Sequence, residues 1–308
     1  MAIGDFISAT DYNAIRTKIF NVMGAGAGNY GYGQSTFSSL VSATPPTGPM
    51  SVSKTQWDAL RYDIYNALLH QTGTAASLVQ VAVGDIIRYG ASQPNFQYDT
   101  FADQAVNNRF DLGTGQFVTE AINSTSFTSS WYQSVSTTAS VTFATAEQAR
   151  FFFNAGGKIR FASTRTGGNG EAQNTSWSNL LNSAGAQSFV GGPSGINFFS
   201  LTTSYQTFAE ISGSSAYSNN KWRLEASCNV ANNSLGTANV VNFRITWLDA
   251  YTDPVPGGGT SPVPPGDLVD GTLTLTVDQV RPAGFLQPSG TFTTVGPTSS
   301  SLGSISGS

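Results

Sequence analysis

KWRLEASCNV, residues 221–230, alternates without a break: Trp222, Leu224, Ala226, Cys228 and Val230 fall on one side of an extended chain, and Lys221, Arg223, Glu225, Ser227 and Asn229 on the other. Period two marks a strand with one dry and one wet face. VNFRITW (241–247) repeats the pattern with Val241, Phe243, Ile245 and Trp247. TLTLTV (272–277) does so with Leu273, Leu275 and Val277. From about residue 129 onward this period dominates, and the strands are joined by Gly, Asn and Ser turns. The expectation is an antiparallel β-sandwich.

Short helices interrupt it. In TFATAEQARFFFNAGGKIRFAS (142–163), Thr145 and Gln148 stand at capping-box spacing, Gly156 and Gly157 end the helix, and KIRFAS is again a strand. Three consecutive phenylalanines, Phe151–Phe153, cannot all face water, so this helix should plug into the sheet. NTSWSNLLNSAG (174–185) reads as a second helical piece, with Trp177, Leu180 and Leu181 on one face.

The N-terminal end has the other period. ISATDYNAIRTKIFN (7–21) and VSKTQWDALRYDIYN (52–66) align without gaps and share Ser8/Ser53, Thr10/Thr55, Ala14/Ala59, Arg16/Arg61, Ile19/Ile64 and Asn21/Asn66. Each copy spaces its large apolar residues at three and four: Tyr12, Ile15, Ile19, Met23 and Trp57, Leu60, Ile64, Leu68. Ser53 with Gln56 forms a capping box, Ser8 with Asp11 a weaker one, and Gly24 stands where a left-handed C-cap would end the first helix.

These readings divide the chain into four parts. Residues 1–75 form a helical repeat with helices at 8–23 and 53–69, suited to docking. A connecting segment with some strand, from Val79 to Tyr89, fills 76–128. The sandwich spans 129–285 and includes a Pro/Gly loop at 254–266, and residues 286–308 form a flexible tail or an arm laid on a neighbour. The fold class is α+β: an N-terminal helical repeat module followed by an antiparallel β-sandwich with short inserted helices.

Composition narrows the function. Only 10% of the 308 residues are charged, against roughly a quarter in average proteins. Ser, Thr, Asn and Gly supply the polarity, and 12% of residues are aromatic. The net charge is −4, and the 14 basic residues are scattered singly, so nothing is built to follow a phosphate backbone and no nucleic-acid partner is expected. Cys228 is the single cysteine, which leaves no internal disulfide and no cysteine-based zinc site. No apolar run reaches the ~20 residues that span a bilayer, and MAIGDFISATDY lacks the basic-then-apolar pattern of a secretory leader. Neither membrane insertion nor Sec-type export is expected, so work outside a cell would require assembly or lysis.

Chemistry-bearing patterns are sparse. Gly26, Gly28 and Gly31 in GAGAGNYGYGQ (24–34) spell G-x-G-x-x-G, but a dinucleotide turn needs a strand before it and a helix after it. Here a helix precedes, so the glycines should serve the chain's own shape. His70, the only histidine, sits in a helix's last turn, where a cation-capable side chain is ordinary. Cys228 lies on an apolar strand face and reads as core. Glu120, Glu147, Glu171, Glu210 and Glu225 are the candidates for a glycosidase pair, which separation in space decides. Asp249 and Asp253 suit turns better than a calcium loop. Tyr30, Tyr32, Trp131 and Tyr132 would stack on sugar rings or fill a subunit interface. Neither a catalytic residue, a metal nor a cofactor is assigned. Tyr12, Ile15, Ile19, Tyr30, Tyr32, Trp57, Leu60 and Ile64 are the candidate interface residues.

DYNAIRTKIFNVMGAGAGNYGYGQ, its second copy, FFFNAGGKIRF and NTSWSNLL together resemble virion structural proteins of tailed bacteriophages, particularly those infecting marine bacteria and cyanobacteria. The resemblance touches both halves of the chain and brings no catalytic residues. It implies a tail, neck or fibre-associated component in the virion, homo-oligomeric and attached to other virion proteins. Binding of host-surface glycan is the alternative expectation, and glycan depolymerisation a third.

Overall fold

A computed structural model describes residues 9–26, 30–34, 52–80, 82, 97–251, 268–283, 286–287, 290–291 and 296–307. The protein is mixed α+β, with two antiparallel sheets facing each other in a sandwich-like arrangement. The first sheet runs β1 (Phe117–Phe127), β8 (Thr272–Pro282), β3 (Lys158–Thr166), β4 (Gln187–Phe189). The second runs β5 (Gln206–Ser212), β6 (Lys221–Cys228), β7 (Val240–Leu248), β2 (Ser134–Thr142). Its outer edge is closed by β11 (Ser299–Leu302) and β12 (Ser306–Gly307), which both pair with β2. β9 (Leu286–Gln287) and β10 (Gly290–Thr291) pair as a two-stranded sheet of their own.

The alternating residues face inward as the period requires. Trp222, Leu224, Ala226, Phe243, Ile245 and Trp247 from one sheet meet Ile159, Phe161, Leu273 and Leu275 from the other. Phe161 and Phe189 pack their rings 4.9 and 5.3 Å from Phe243. One polar bond crosses the core: Trp247 Nε1 donates to Ser163 Oγ at 3.1 Å, so the indole is buried without losing its partner. The alternation of burial stops at Leu224: Glu225 and Ser227, expected on the wet face, are buried as well. Val230, expected on the dry face, lies past the strand end and is exposed.

Both inserted helices lie where the pattern put them. α4 (Ala146–Asn154) starts at Thr145, whose side chain accepts from Gln148 N, and drives Phe152 and Phe153 into the core. Phe153 touches four other rings, Phe143, Phe152, Phe189 and Phe198. α5 (Ala172–Ala184) buries Trp177, Leu180 and Leu181, with Trp177 edge-on to Trp131 at 5.0 Å.

α1 (Ala9–Met23) and α2 (Lys54–Thr72) are the two N-terminal helices. Ser53 and Gln56 form the expected capping box. Two boundaries differ from the sequence reading. Gly24 does not take the left-handed form; the chain turns at Gly26, with φ +67°. α2 runs past residue 69 to Thr72 and is capped by left-handed Gly73. Ser8 lies outside the described residues.

A third helix, α3 (Tyr98–Asn107), lies in the segment expected to be a strand-bearing connection, and it packs on both α1 and α2. It lacks a side-chain N-cap bond, which removed the usual start signal. Tyr98, Ala102 and Ala105 join Tyr12, Ile15, Ile19, Trp57, Leu60 and Ile64 in a second apolar core. Trp57 stands edge-on between Tyr12 and Tyr98, 5.1 and 5.0 Å away. Most of the strand expected at Val79–Tyr89, and the Pro/Gly loop at 254–266, lie outside the described residues.

The C-terminal segment is the remaining correction. Rather than a free tail, residues 299–307 extend the chain's own second sheet: Ser299 pairs with Thr142, Leu302 with Ala139, and Thr137 Oγ1 donates to Gly303 O at 2.7 Å. Ile305 is buried against the sandwich.

Candidate functional site

The seam between the helices and the sandwich begins at the glycine-rich stretch. Tyr32 N, Gly33 N and Gln34 N donate to Val22, Gly24 and Met23 carbonyls at 2.8–2.9 Å, satisfying groups that the end of α1 would leave open. A Cβ on Gly26 would stand 2.3 Å from Tyr30 O, so only glycine fits this reversal. Asn154 Nδ2, at the end of α4, donates to Gly31 O at 3.1 Å. The glycines therefore fold the chain back on its own helix and tie it to the sandwich; Gly28 lies outside the described residues.

Tyr32, Gln71 and His70 continue the seam inside the protein. Gln71 Nε2 donates to Tyr32 Oη at 2.7 Å and to Ala105 O at 2.8 Å, and Tyr32 Oη donates to Arg109 O at 3.0 Å. His70 is completely buried, with Nε2 2.9 Å from Ala155 O. Burial lowers its pKa to about 4, so the imidazole is neutral. It is a cross-link between α2 and the end of α4, not the helix-terminal cation expected from its position.

The proposed interface residues are used up within the chain. Tyr12, Ile15, Ile19, Tyr32, Trp57, Leu60 and Ile64 are all buried in the second core. The apolar stripe expected to meet a neighbour meets α3. Trp131, a candidate for sugar stacking or an interface, is buried too. Tyr30 is half-buried, with the Arg109 guanidinium carbon 4.2 Å above its ring.

That arginine leads to a cleft of about 510 Å³ at the edge of the sandwich. Four short stretches build it: Arg109-Phe110 after α3, Gly191-Gly192-Pro193, the turn Asn197–Thr202, and Asn233-Ser234. The turn is set by Asn197, whose Oδ1 accepts from Phe199 N and Ser200 N. Buried Asn232 holds the facing loop down. Its backbone N donates to Leu201 O, its Nδ2 to Phe198 O, and its Oδ1 accepts from Ala238 N. Asn233 and Ser234 follow in left-handed conformations, φ +48° and +63°, which non-glycine residues rarely adopt outside constrained sites. Gly192 lies so close to Phe110 that a Cβ would stand 2.9 Å from its ring, and the Gly192–Pro193 peptide bond is cis.

The cleft's chemistry is one-sided. Phe110 and Phe199, 5.9 Å apart, supply apolar ring faces; Asn233, Ser234 and Thr202 supply amide and hydroxyl groups; Arg109 supplies the charge. The described lining holds no carboxylate.

The five glutamates lie elsewhere. Glu120 is bound by Arg281, the main cause of its lowered pKa, and by Gln279. Glu210 is held by Lys221 and Arg223, and its pKa is likewise lowered. Glu225 takes a two-pronged bond from Arg244 at 2.6 and 2.8 Å. Glu147 lies 3.5 Å from Arg150, and Glu171 is the exposed residue before α5. Glu120 and Glu210 are thus pushed towards the ionised form, opposite to the tuning a general acid requires. Asp249, just past the end of β7, is buried and accepts from Gln173; Asp253 lies outside the described residues. Among the described residues no group of three metal-ligating side chains occurs, and no helix is long and apolar enough to cross a membrane. Cys228 is buried, and burial raises its thiol pKa.

No family model, curated protein or solved structure matches the chain. Sequence reasoning missed the cleft because its four stretches are far apart and none carries a recognisable spacing. The only local signals were the paired asparagines Asn232-Asn233 and the Gly-Gly-Pro run.

Proposed function

We propose that the chain is a structural component of a tailed-bacteriophage virion, in the tail, neck or a fibre. It works by homo-oligomeric assembly and by attachment to other virion proteins. The observation that carries this reading is the seam: His70 and Asn154 tie the helices to the end of α4, which plugs into the sandwich, and Gln71 ties Tyr32 to α3, all through buried hydrogen bonds. A body locked in this way keeps its shape while neighbours press on different faces. Its polar, charge-poor composition fits association through packing and neutral hydrogen bonds. The interface then lies on exposed groups rather than the buried stripe. Tyr62, 43% exposed on α2 with Tyr65 and Arg61 beside it, is the foremost candidate.

Light scattering on the purified chain tests assembly. A defined oligomer supports the reading, and a monomer at high concentration counts against it. Antibody labelling of phage particles by electron microscopy tests location, and labelling absent from particles would overturn it.

A second reading, a host-glycan-binding module, draws support from the cleft, whose aromatic faces, amides and hydroxyls match what sugars offer. Glycan-array binding by the whole chain would favour it.

A further inference from the structure

We infer that the cleft is a binding site for an acidic sugar, with Arg109 receiving the carboxylate of a uronic- or sialic-acid residue. This inference rests on the second reading above, that the chain binds glycan, and sharpens it to a substrate class.

Arg109 is held between two aromatic rings. Its guanidinium carbon lies 4.2 Å from the Tyr30 ring centre and 4.3 Å from that of Phe110. Two aromatic rings fix the cation, and no described oxygen accepts from its side-chain N–H groups; Nε is enclosed without an acceptor. Arg165, which is more deeply buried, gives its Nη1 to Asn174 O and Ser178 Oγ while its own Nε and Nη2 are enclosed without an acceptor, so what sets Arg109 apart is that no oxygen of the described protein accepts from any of its side-chain nitrogens. Nη1 and Nη2 are not enclosed in this way, and that end of the guanidinium can bind a carboxylate in two-pronged fashion.

The surroundings limit the anion. Among the described lining residues there is no lysine and no second arginine, so one described cation faces the ligand. A single guanidinium matches a monoanionic carboxylate, whereas phosphate sites gather several donors and charges. The described lining holds no carboxylate that would compete for Arg109.

The rest of the cleft suits the ring that carries the carboxylate. Half-buried Phe110, backed by Phe199, which is only 6% exposed, offers apolar surface for the C–H side of a pyranose. Asn233 makes no side-chain hydrogen bond within the described protein, is exposed at the rim, and is held in position by the anchored Asn232. Its amide can therefore both donate to and accept from sugar hydroxyls. The volume of about 510 Å³ lies inside the roughly 300–1,000 Å³ of small-molecule clefts, and room remains for one or two sugar units.

The test is calorimetric titration of the full chain with a tetra-galacturonate and a sialyl-oligosaccharide. Each is run beside its carboxyl-reduced, neutral counterpart. Binding of an acidic sugar at least tenfold tighter than its reduced form, with that difference abolished in Arg109→Gln, is the expected result. Asn233→Gly, which keeps the left-handed backbone comfortable, should weaken binding about threefold with an unchanged melting temperature. It covers the case in which Arg109→Gln does not fold. Equal binding of acidic and reduced sugars would overturn the acidic-sugar assignment while leaving the glycan reading standing. No binding to either at millimolar concentration, together with an empty glycan array, would overturn both. Tight binding unaffected by Arg109→Gln and Asn233→Gly would remove the site from this cleft.

Discussion

The ring nitrogen Nε2 of His70 lies 2.9 Å from the carbonyl oxygen of Ala155, so the single histidine ends the α4 helix from a different part of the chain. Its pKa is lowered to about 4 from an ordinary value of 6.5. Between these values the unfolded chain holds a proton that the folded chain does not. Acid therefore favours unfolding: stability is full above pH 6.5 and falls as pH drops towards 4. Linkage sets the loss at about 3 kcal/mol at most. Chemical denaturation at a series of pH values should show this slope, and His70→Gln should flatten it. Glu120 and Glu210 add losses only lower, in the carboxylate range, because their pKa values are depressed. A wild-type profile flat between pH 6.5 and 4.5 would exclude this account.

Gly26→Ala should destabilise by at least about 2 kcal/mol. The left-handed backbone alone costs roughly 1–2 kcal/mol for an L-residue, and the new methyl collides with Tyr30 O. Thermal melting measures this, and the same variant should bind nucleotide no differently from wild type, namely not at all.

Phe153→Ala removes a ring that touches four others, at the point where α4 enters the sandwich. The loss should be about 3–5 kcal/mol, by cavity and transfer together. Phe151, which is only half-buried, should lose clearly less on the same change. Equal losses would mean the helix is seated differently.

Deleting residues 299–308 uncovers β2 along one edge and exposes the site of Ile305. Burial of that side chain is worth about 1.5–3 kcal/mol, and a bare edge invites pairing with other chains. The truncated protein should melt lower and associate in a concentration-dependent way by light scattering. A truncated chain with wild-type stability would show that the strand contributes nothing.

Sequence reading worked where a local period was strong. Trp222 to Cys228, Val241 to Trp247 and Leu273 to Val277 announced their buried faces, and Thr145 announced α4. It failed where a partner comes from far along the chain. The stripe of Tyr12, Ile15 and Ile19 was correctly read as apolar, but its partner, α3, has no capping side chain and only a weak signal. His70 looked like a surface cation because the carbonyl it meets is 85 residues away. A serine-rich C-terminus has the composition of a tail, and only the open edge of β2 makes it a strand. The cleft was invisible for the same reason: Arg109, Gly192, Phe199 and Asn233 have meaning only once the fold brings them together.

The place of β8 governs when this protein can exist at all. β1 and β3 flank β8 and do not pair with each other, yet β8 is made more than a hundred residues after β3 begins. Until translation reaches Thr272–Pro282, half of the sandwich has no centre, and β1 and β3 lack the strand that joins them. Folding is therefore a late event, dominated by long-range closure and correspondingly slow. The nascent chain spends that interval sticky, and its yield in a cell should depend on how quickly the ribosome delivers the last quarter.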